Sequence, residues 1–305
     1  MAKEKKEKKE QRAKKRRRKL GDRSDGYRVR NIDAVLKFTP YIMPMRCDAC
    51  NTYSDRFDVT KTDVFCREKV KSGMTNFSVL HVMLAAYVRM LATRPAINRF
   101  ISGQKLYHRN NIEVVMTIKK SMERSAEETC IKVEFDPCDT VDEIYEKFNA
   151  VVEEVHASAE KTSDFDKVNK ILTRIPGFLC RWTMRLLRFL DYIGILPKSL
   201  LKVSPFHGSM IITSMGSLGI RPIYHHIYNF GNLPVFLSYG GRKSVICYDG
   251  EGGVYTKKFI ELKAVTDERI CDGFYYASAF KLFKRYVENP EVLNEKPTEI
   301  LEDVD

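Results

Sequence analysis

Apolar residues switch between two periods along almost the whole chain, and this alternation restricts the fold more than any other feature. Leu80, Leu84, Tyr87, Val88 and Leu91 recur at helical spacing and predict an amphipathic helix ending before Pro95. Ile131, Val133 and Phe135 alternate with Lys132 and Glu134, the pattern of a half-buried strand that Pro137 closes. A second helical stripe of Val141, Ile144, Phe148, Val151 and Val155 follows the capping candidates Asp139 and Thr140. Residues 156–169 are polar and read as a loop. Segments 209–214, 234–239, 244–248 and 254–266 read as strands, with Asp249 to Gly253 supplying the turn between the last two. A closing helix over about 274–288 carries Phe280, Phe283 and Val287 ahead of Pro290. No repeat or internal linker breaks this order, which predicts one mixed α/β domain over residues 27–293.

A 305-residue chain with 44% hydrophobic residues can build a sizeable core, which excludes a wholly disordered or a disulfide-stapled protein. Its formal charge of +12 suggests a polyanion as partner until the charge is located. Residues 1–20 hold twelve Lys/Arg and three Glu, leaving 40 basic and 37 acidic groups for the other 285 residues. The basicity belongs to a tail. Between Ala2 and Leu20 only Ala13 is apolar, so residues 1–26 have nothing to bury and are expected to be disordered. No apolar stretch follows the charges, which excludes a secretory signal. The tail reads as a solvated segment or as an electrostatic contact with nucleic acid or an anionic membrane. Residues 294–305 form a short acidic tail.

Eight Cys lie scattered without a repeated spacing and read as reduced thiols of a cytoplasmic protein. Cys47-Asp48-Ala49-Cys50 matches C-x-x-C, but a zinc site needs a second pair and none stands at suitable spacing, so no metal is expected. The stretch from Phe178 to Ile193 is unusual. It sets Arg181, Arg185 and Arg188 on one helical face, with Phe178, Trp182, Leu186, Phe189 and Ile193 on or near the other. Three Arg and Asp191 exclude a membrane-spanning helix. The apolar face is expected to meet the core or a neighbouring subunit, with peripheral attachment to a membrane as the alternative.

Two stretches in the second half carry a resemblance. Gly208 to Gly219 reads G-S-M-I-I-T-S-M-G-S-L-G, followed by Asn229 and a strand from Val235 to Tyr239. Asp267 to Gly273 reads D-E-R-I-C-D-G, followed by a helix and Glu288-Asn289-Pro290-Glu291. These resemble the G-x-F-T-[IV]-[ST]-N-x-G and D-H-R-x-x-D-G motifs of the 2-oxoacid dehydrogenase acyltransferases, the dihydrolipoyl acyltransferases. Looser similarities lie at Met45-Arg46, which is similar to the family's first helix, at Leu84 to Asn98 and at Asn111 to Ile118. The resemblance spans residues 30–293. It implies a two-layer α/β sandwich with a large mixed sheet, the fold shared with chloramphenicol acetyltransferase, and a homotrimer.

By the same resemblance the chain is a coenzyme-A-dependent acyltransferase with acyl-CoA as co-substrate. The family's signature His takes a proton from the attacking thiol, and a Ser or Thr hydroxyl of the adjacent subunit hydrogen-bonds the tetrahedral oxyanion. Carried over by motif position, the hydroxyl falls on Thr213 with Ser214 beside it, and the site-organising Asp falls on Asp272. The base position holds Glu268 instead of His. An imidazole titrates near neutrality, whereas a solvated carboxylate near 4.3 is the poorer base by about two units. Three readings stay open: Glu268 serves as an adapted base, His225 or His226 supplies the missing imidazole, or the trimer is a catalytically silent binding or scaffold protein. Lipoyl and subunit-binding domains have no room before Tyr27, and residues 171–206 are atypical of the family. A free-standing enzyme without a lipoyl attachment site is therefore expected.

Overall fold

The computed structural model describes residues 18–119, 128–157 and 173–303. The basic residues before Arg18 lie outside the described residues. Of the loop expected at 156–169, residues 156 and 157 instead end the helix Val141–Ala157, and 158–169 lie outside the described residues. In chain order the first elements are β1 (Gly26–Arg28), α1 (Ala34–Ile42), β2 (Cys50–Asp58), α2 (Thr60–Lys71) and α3 (Val79–Thr93). Then come β3 (Arg99–Ser102), β4 (Lys105–Arg109), β5 (Ile112–Lys119), β6 (Glu128–Phe135) and α4 (Val141–Ala157). After these follow α5 (Gly177–Ile193), α6 (Lys198–Val203), β7 (Met210–Ser214), β8 (Val235–Tyr239), β9 (Lys243–Tyr248), β10 (Val254–Asp267) and α7 (Gly273–Glu288).

Seven strands form one mixed sheet in the order β2-β10-β8-β7-β5-β6, with β9 paired to β10. β7 runs parallel to both β5 and β8, and the other pairings are antiparallel. Strand alternation divides the sheet's two faces. Met210, Ile212, Leu237, Leu262 and Ala264 point into a large core with α3, α4 and α7. Val115, Ile211, Phe236 and Val265 point the other way and share a small cluster with Ile227 and Leu233 of the β7–β8 connection. Helices therefore pad one face, giving the two-layer sandwich that the motifs imply. A separate three-stranded sheet, β1-β4-β3, stands beside it.

The helical stripe expected to be amphipathic is corrected on one point. α3 is buried from Val79 to Ala92 apart from Leu80, because V-L-H-V-M-L-A-A-Y-V-R-M-L-A is apolar nearly all round. His81 closes its first turn, accepting from Ser78 N at 3.0 Å, and burial pushes its pKa down to about 4. Met45-Arg46 follows α1 rather than lying within it, and the Arg46 guanidinium is buried against the carbonyls of Tyr228, Gly231 and Ile101.

Both expected tail boundaries also move. Arg23 is only 3% exposed, with ion pairs of 2.8 Å to both Asp25 and Asp191. The chain is thus packed several residues before Tyr27. At the other end Leu301 N donates to Ala92 O, and Asp303 takes Arg99 through two bonds of 2.6 Å. For α5, burial in the chain's own core is ruled out: Asp191 is its only buried residue.

Asp191 and Asp303 tie remote segments to the domain, and acid should release them. Burial alone would raise each carboxyl, but His207 with Arg23, and His108 with Arg99, outweigh it and hold both near 2. A depressed carboxyl stabilises fully above its unfolded value and loses that contribution as pH falls through its folded one. About 2 kcal/mol from each should therefore vanish between about pH 4 and pH 2. Denaturant midpoints measured across that range are expected to fall more steeply for the native chain than for Asp303→Asn.

Candidate functional site

Thr213 is the penultimate residue of β7, opposite Ser238 of β8, which is opposite Lys263 of β10. Period-two alternation puts its hydroxyl on the face of Ile211, away from the helices. The β7–β8 connection folds back over that face. It brings His225 Nε2 within 3.3 Å of Thr213 Oγ1 and lays the imidazole flat on Phe236, ring centres 4.3 Å apart and planes 9° apart. Tyr224 sits beside them under the Lys263 ammonium, which lies 4.5 Å from its ring centre. Burial lowers the pKa of His225, so the ring stays neutral and keeps one nitrogen able to accept a proton.

The other expected members separate. His226 is exposed and edge-on to Tyr228, and among the described residues the hydroxyl of Thr213 meets His225 instead. Ser214 lies opposite Tyr239 on the helix-facing side, so its hydroxyl does not join that of Thr213. Gly216 follows in the same turn, where a Cβ would come within 2.7 Å of Gly241 N. Only glycine lets the turn after β7 lie this close to the strand leaving β8.

Glu268 stands just past the end of β10. Its backbone N–H donates to Ala49 O at 2.9 Å, and its neighbours clamp the turn. Arg269 grips Asp267 through two bonds of 2.7 Å and also donates to Met43 O at 2.8 Å, while Arg46 Nε lies 3.4 Å from the same carboxylate. Tyr276 donates its hydroxyl to Asp267 O at 2.7 Å. Arg269 and Asp267 are each 1% exposed. The Glu268 carboxylate is half-buried and forms no ion pair or hydrogen bond among the described residues. It opens into an 850 Å³ groove between α1 and the start of α7, lined also by Val35, Thr39, Arg99 and Phe274. Asp272 lines the same groove as the N-cap of α7, its Oδ1 accepting from Tyr275 N at 2.8 Å.

Within one chain Thr213 and Glu268 do not meet. The register places Thr213 level with Lys263, five residues short of Glu268 and two strands away, a separation of roughly 15–20 Å.

Sequence reasoning missed a buried polar cluster nearby. Asp191 accepts from Arg23 and lies 3.4 Å from His207 Nε2, Asp25 accepts from Asn232 at 2.9 Å, and Asn232 accepts from Arg109 at 2.7 Å. One signal was present: Asp191 is the lone acid in an otherwise basic amphipathic helix. The C-x-x-C pair carries no comparable site. Cys47 is exposed on a one-turn helix, Cys50 is half-buried, and both are free thiols.

Architecture and strand order together define the fold. Helices on one face of a large mixed sheet make a fold like that of the dihydrolipoamide acetyltransferase catalytic cores. Comparison with solved structures gives the same answer. The chain is similar to a probable dihydrolipoamide acetyltransferase from Listeria monocytogenes at 12% identity, with 90% of this chain and 97% of that chain covered and a TM-score of 0.55. It is similar to a truncated catalytic core of the 2-oxoacid dehydrogenase multienzyme complex from Thermoplasma acidophilum at 13% identity, covering 86% and 99%, with a TM-score of 0.51. A third similar structure is the Azotobacter vinelandii dihydrolipoamide acetyltransferase, at 12% identity, 88% and 94% coverage and a TM-score of 0.50. In that enzyme a serine, a histidine and an asparagine have been probed for their roles in the catalytic mechanism. At these identities the likeness is one of fold. No family model matches the chain, and no curated protein matches it by sequence.

Proposed function

We propose that this protein is an acyltransferase that takes its acyl group from a thioester of coenzyme A. The observation that carries the reading is the state of Glu268. Its neighbours Asp267 and Arg269 are locked to each other, while its own carboxylate faces a groove of ligand size without an ion pair among the described residues. In the proposed step Glu268 takes the proton of an acceptor thiol or hydroxyl as that group attacks the thioester carbonyl. Thr213 donates a hydrogen bond to the oxyanion that forms. Collapse then expels the thiolate of coenzyme A, which takes back the proton. Asp272 is a positioning residue that fixes the first turn of α7 behind Glu268.

The register supports a shared site. Glu268 and Thr213 stand too far apart within a chain to act on one carbonyl, so each site pairs Glu268 of one copy with Thr213 of the next, in a homotrimer.

A second reading rests on the contact between His225 and Thr213. A neutral imidazole 3.3 Å from the hydroxyl stands where it can act as the base itself. The test is chromatographic assay of coenzyme A released from acetyl-coenzyme A with thiol, alcohol and amine acceptors, run beside a sedimentation measurement of the assembly. Acceptor-dependent release by a trimer supports the proposal. No release with any acceptor assigns the fold to binding alone.

A further inference from the structure

α5 is fastened to the rest of the chain at one end. The Asp191 carboxylate takes the Arg23 guanidinium at 2.8 Å, and its carbonyl oxygen accepts from Ser102 Oγ at 2.9 Å. Tyr192 donates to Gln104 at 2.9 Å, and Gly194, left-handed at φ 80°, then turns the chain away. Along the rest of the helix Phe178, Trp182, Leu186, Phe189 and Ile193 form one stripe, each between 46% and 65% exposed. Arg181, Arg185 and Arg188 flank it, all exposed, and the Arg185 guanidinium lies 5.3 Å from the Trp182 ring centre. The helix's single acid is the buried Asp191, so its outward surface carries three cations and no anion.

Arg23, which holds Asp191, is five residues from Arg18, where the described chain begins. Ten Lys/Arg against three Glu precede Arg18 in the sequence. In sequence the basic segment thus lies a few residues ahead of the arginine that anchors α5.

We propose that α5 docks this protein on the surface of an anionic lipid bilayer. The helix lies in the headgroup plane, its apolar stripe inserted and its arginines at the lipid phosphates, with the basic segment adding long-range attraction. The same stripe of a second copy fits this surface poorly, because stripe-on-stripe contact would set two rows of arginine together with no acid to meet them. A nucleic acid would engage the arginines and leave five large apolar side chains in water.

Trp182 is the only tryptophan in the chain, so intrinsic emission of the full-length protein reports on this helix directly. Vesicles of phosphatidylcholine and phosphatidylglycerol in equal amounts are expected to shift that emission to the blue and to carry the protein into the pellet. Replacing Arg181, Arg185 and Arg188 together by Gln should weaken this binding by about a hundredfold. Leu186→Glu with Phe189→Glu should abolish the shift while circular dichroism stays unchanged, since both positions are exposed. Equal binding to vesicles of phosphatidylcholine alone overturns the proposal, as does full binding by the triple-Gln chain. A blue shift that grows with protein concentration in the absence of vesicles also overturns it and assigns the stripe to a second copy. Binding to heparin without any binding to vesicles overturns it in favour of a polyanion.

Discussion

Glu268→Gln is expected to lower the rate of coenzyme A release by about 10²–10⁴-fold while leaving the denaturation midpoint unchanged. Glutamine keeps the size and hydrogen-bonding reach of the side chain and removes its capacity to accept a proton. The turn itself is held by Asp267, Arg269 and the backbone bond to Ala49, none of which the substitution touches. His225→Asn separates the two candidate bases. With Glu268 as base it should cost less than Glu268→Gln, since the imidazole then only orients Thr213. A large loss with His225→Asn beside an unchanged rate with Glu268→Gln makes the imidazole the base. The pH profile is an independent check, because an imidazole whose pKa burial has lowered loses activity only as pH falls below its ordinary value near 6.5.

The second large effect concerns stability. Asp267→Ala leaves the buried guanidinium of Arg269 without its bidentate partner and removes the closest carboxylate from Arg46, at an expected cost of about 3–5 kcal/mol. Chemical denaturation measures it directly. Arg269→Met should cost distinctly less, because Asp267 then keeps Arg46 at 3.4 Å and loses one cation rather than stranding two. Asp267→Leu with Arg269→Met removes both buried charges and should recover part of the single-mutant loss. Recovery stays incomplete because Arg46 keeps its three carbonyl partners but no carboxylate. Equal costs for the two single variants would show that Arg46 contributes nothing to the carboxylate.

What could be read before the structure is what local chemistry encodes. The strand at Ile131 to Phe135, the helix from Val141 and the turn from Asp249 to Gly253 each depend on spacings within a few residues. In the turn, Asp249 Oδ1 accepts from both Glu251 N and Gly253 N. The motifs likewise put Thr213 near the end of one strand and Glu268 just past the end of another, and His225 was legible as a neighbour of the Thr213 turn. What could not be read depends on distant partners. Arg23 belongs by composition to the basic tail, yet it meets Asp191 across 168 positions. Asp303 belongs to an acidic terminus, yet it meets Arg99 across 204. The full burial of α3 was hidden for a similar reason: an apolar stripe tells which face is inside, and not how many layers close over the rest.

The distance between Thr213 and Glu268 along the sheet has a consequence for mixtures of chains. On the proposed arrangement a Thr213→Ala chain and a Glu268→Gln chain are each inactive alone, yet each carries the half that the other lacks. Mixed equally and reassembled, they leave about a quarter of the junctions with both residues intact. Two dead proteins would thereby regain about a quarter of the native rate, and the damage in either would behave as recessive to the other.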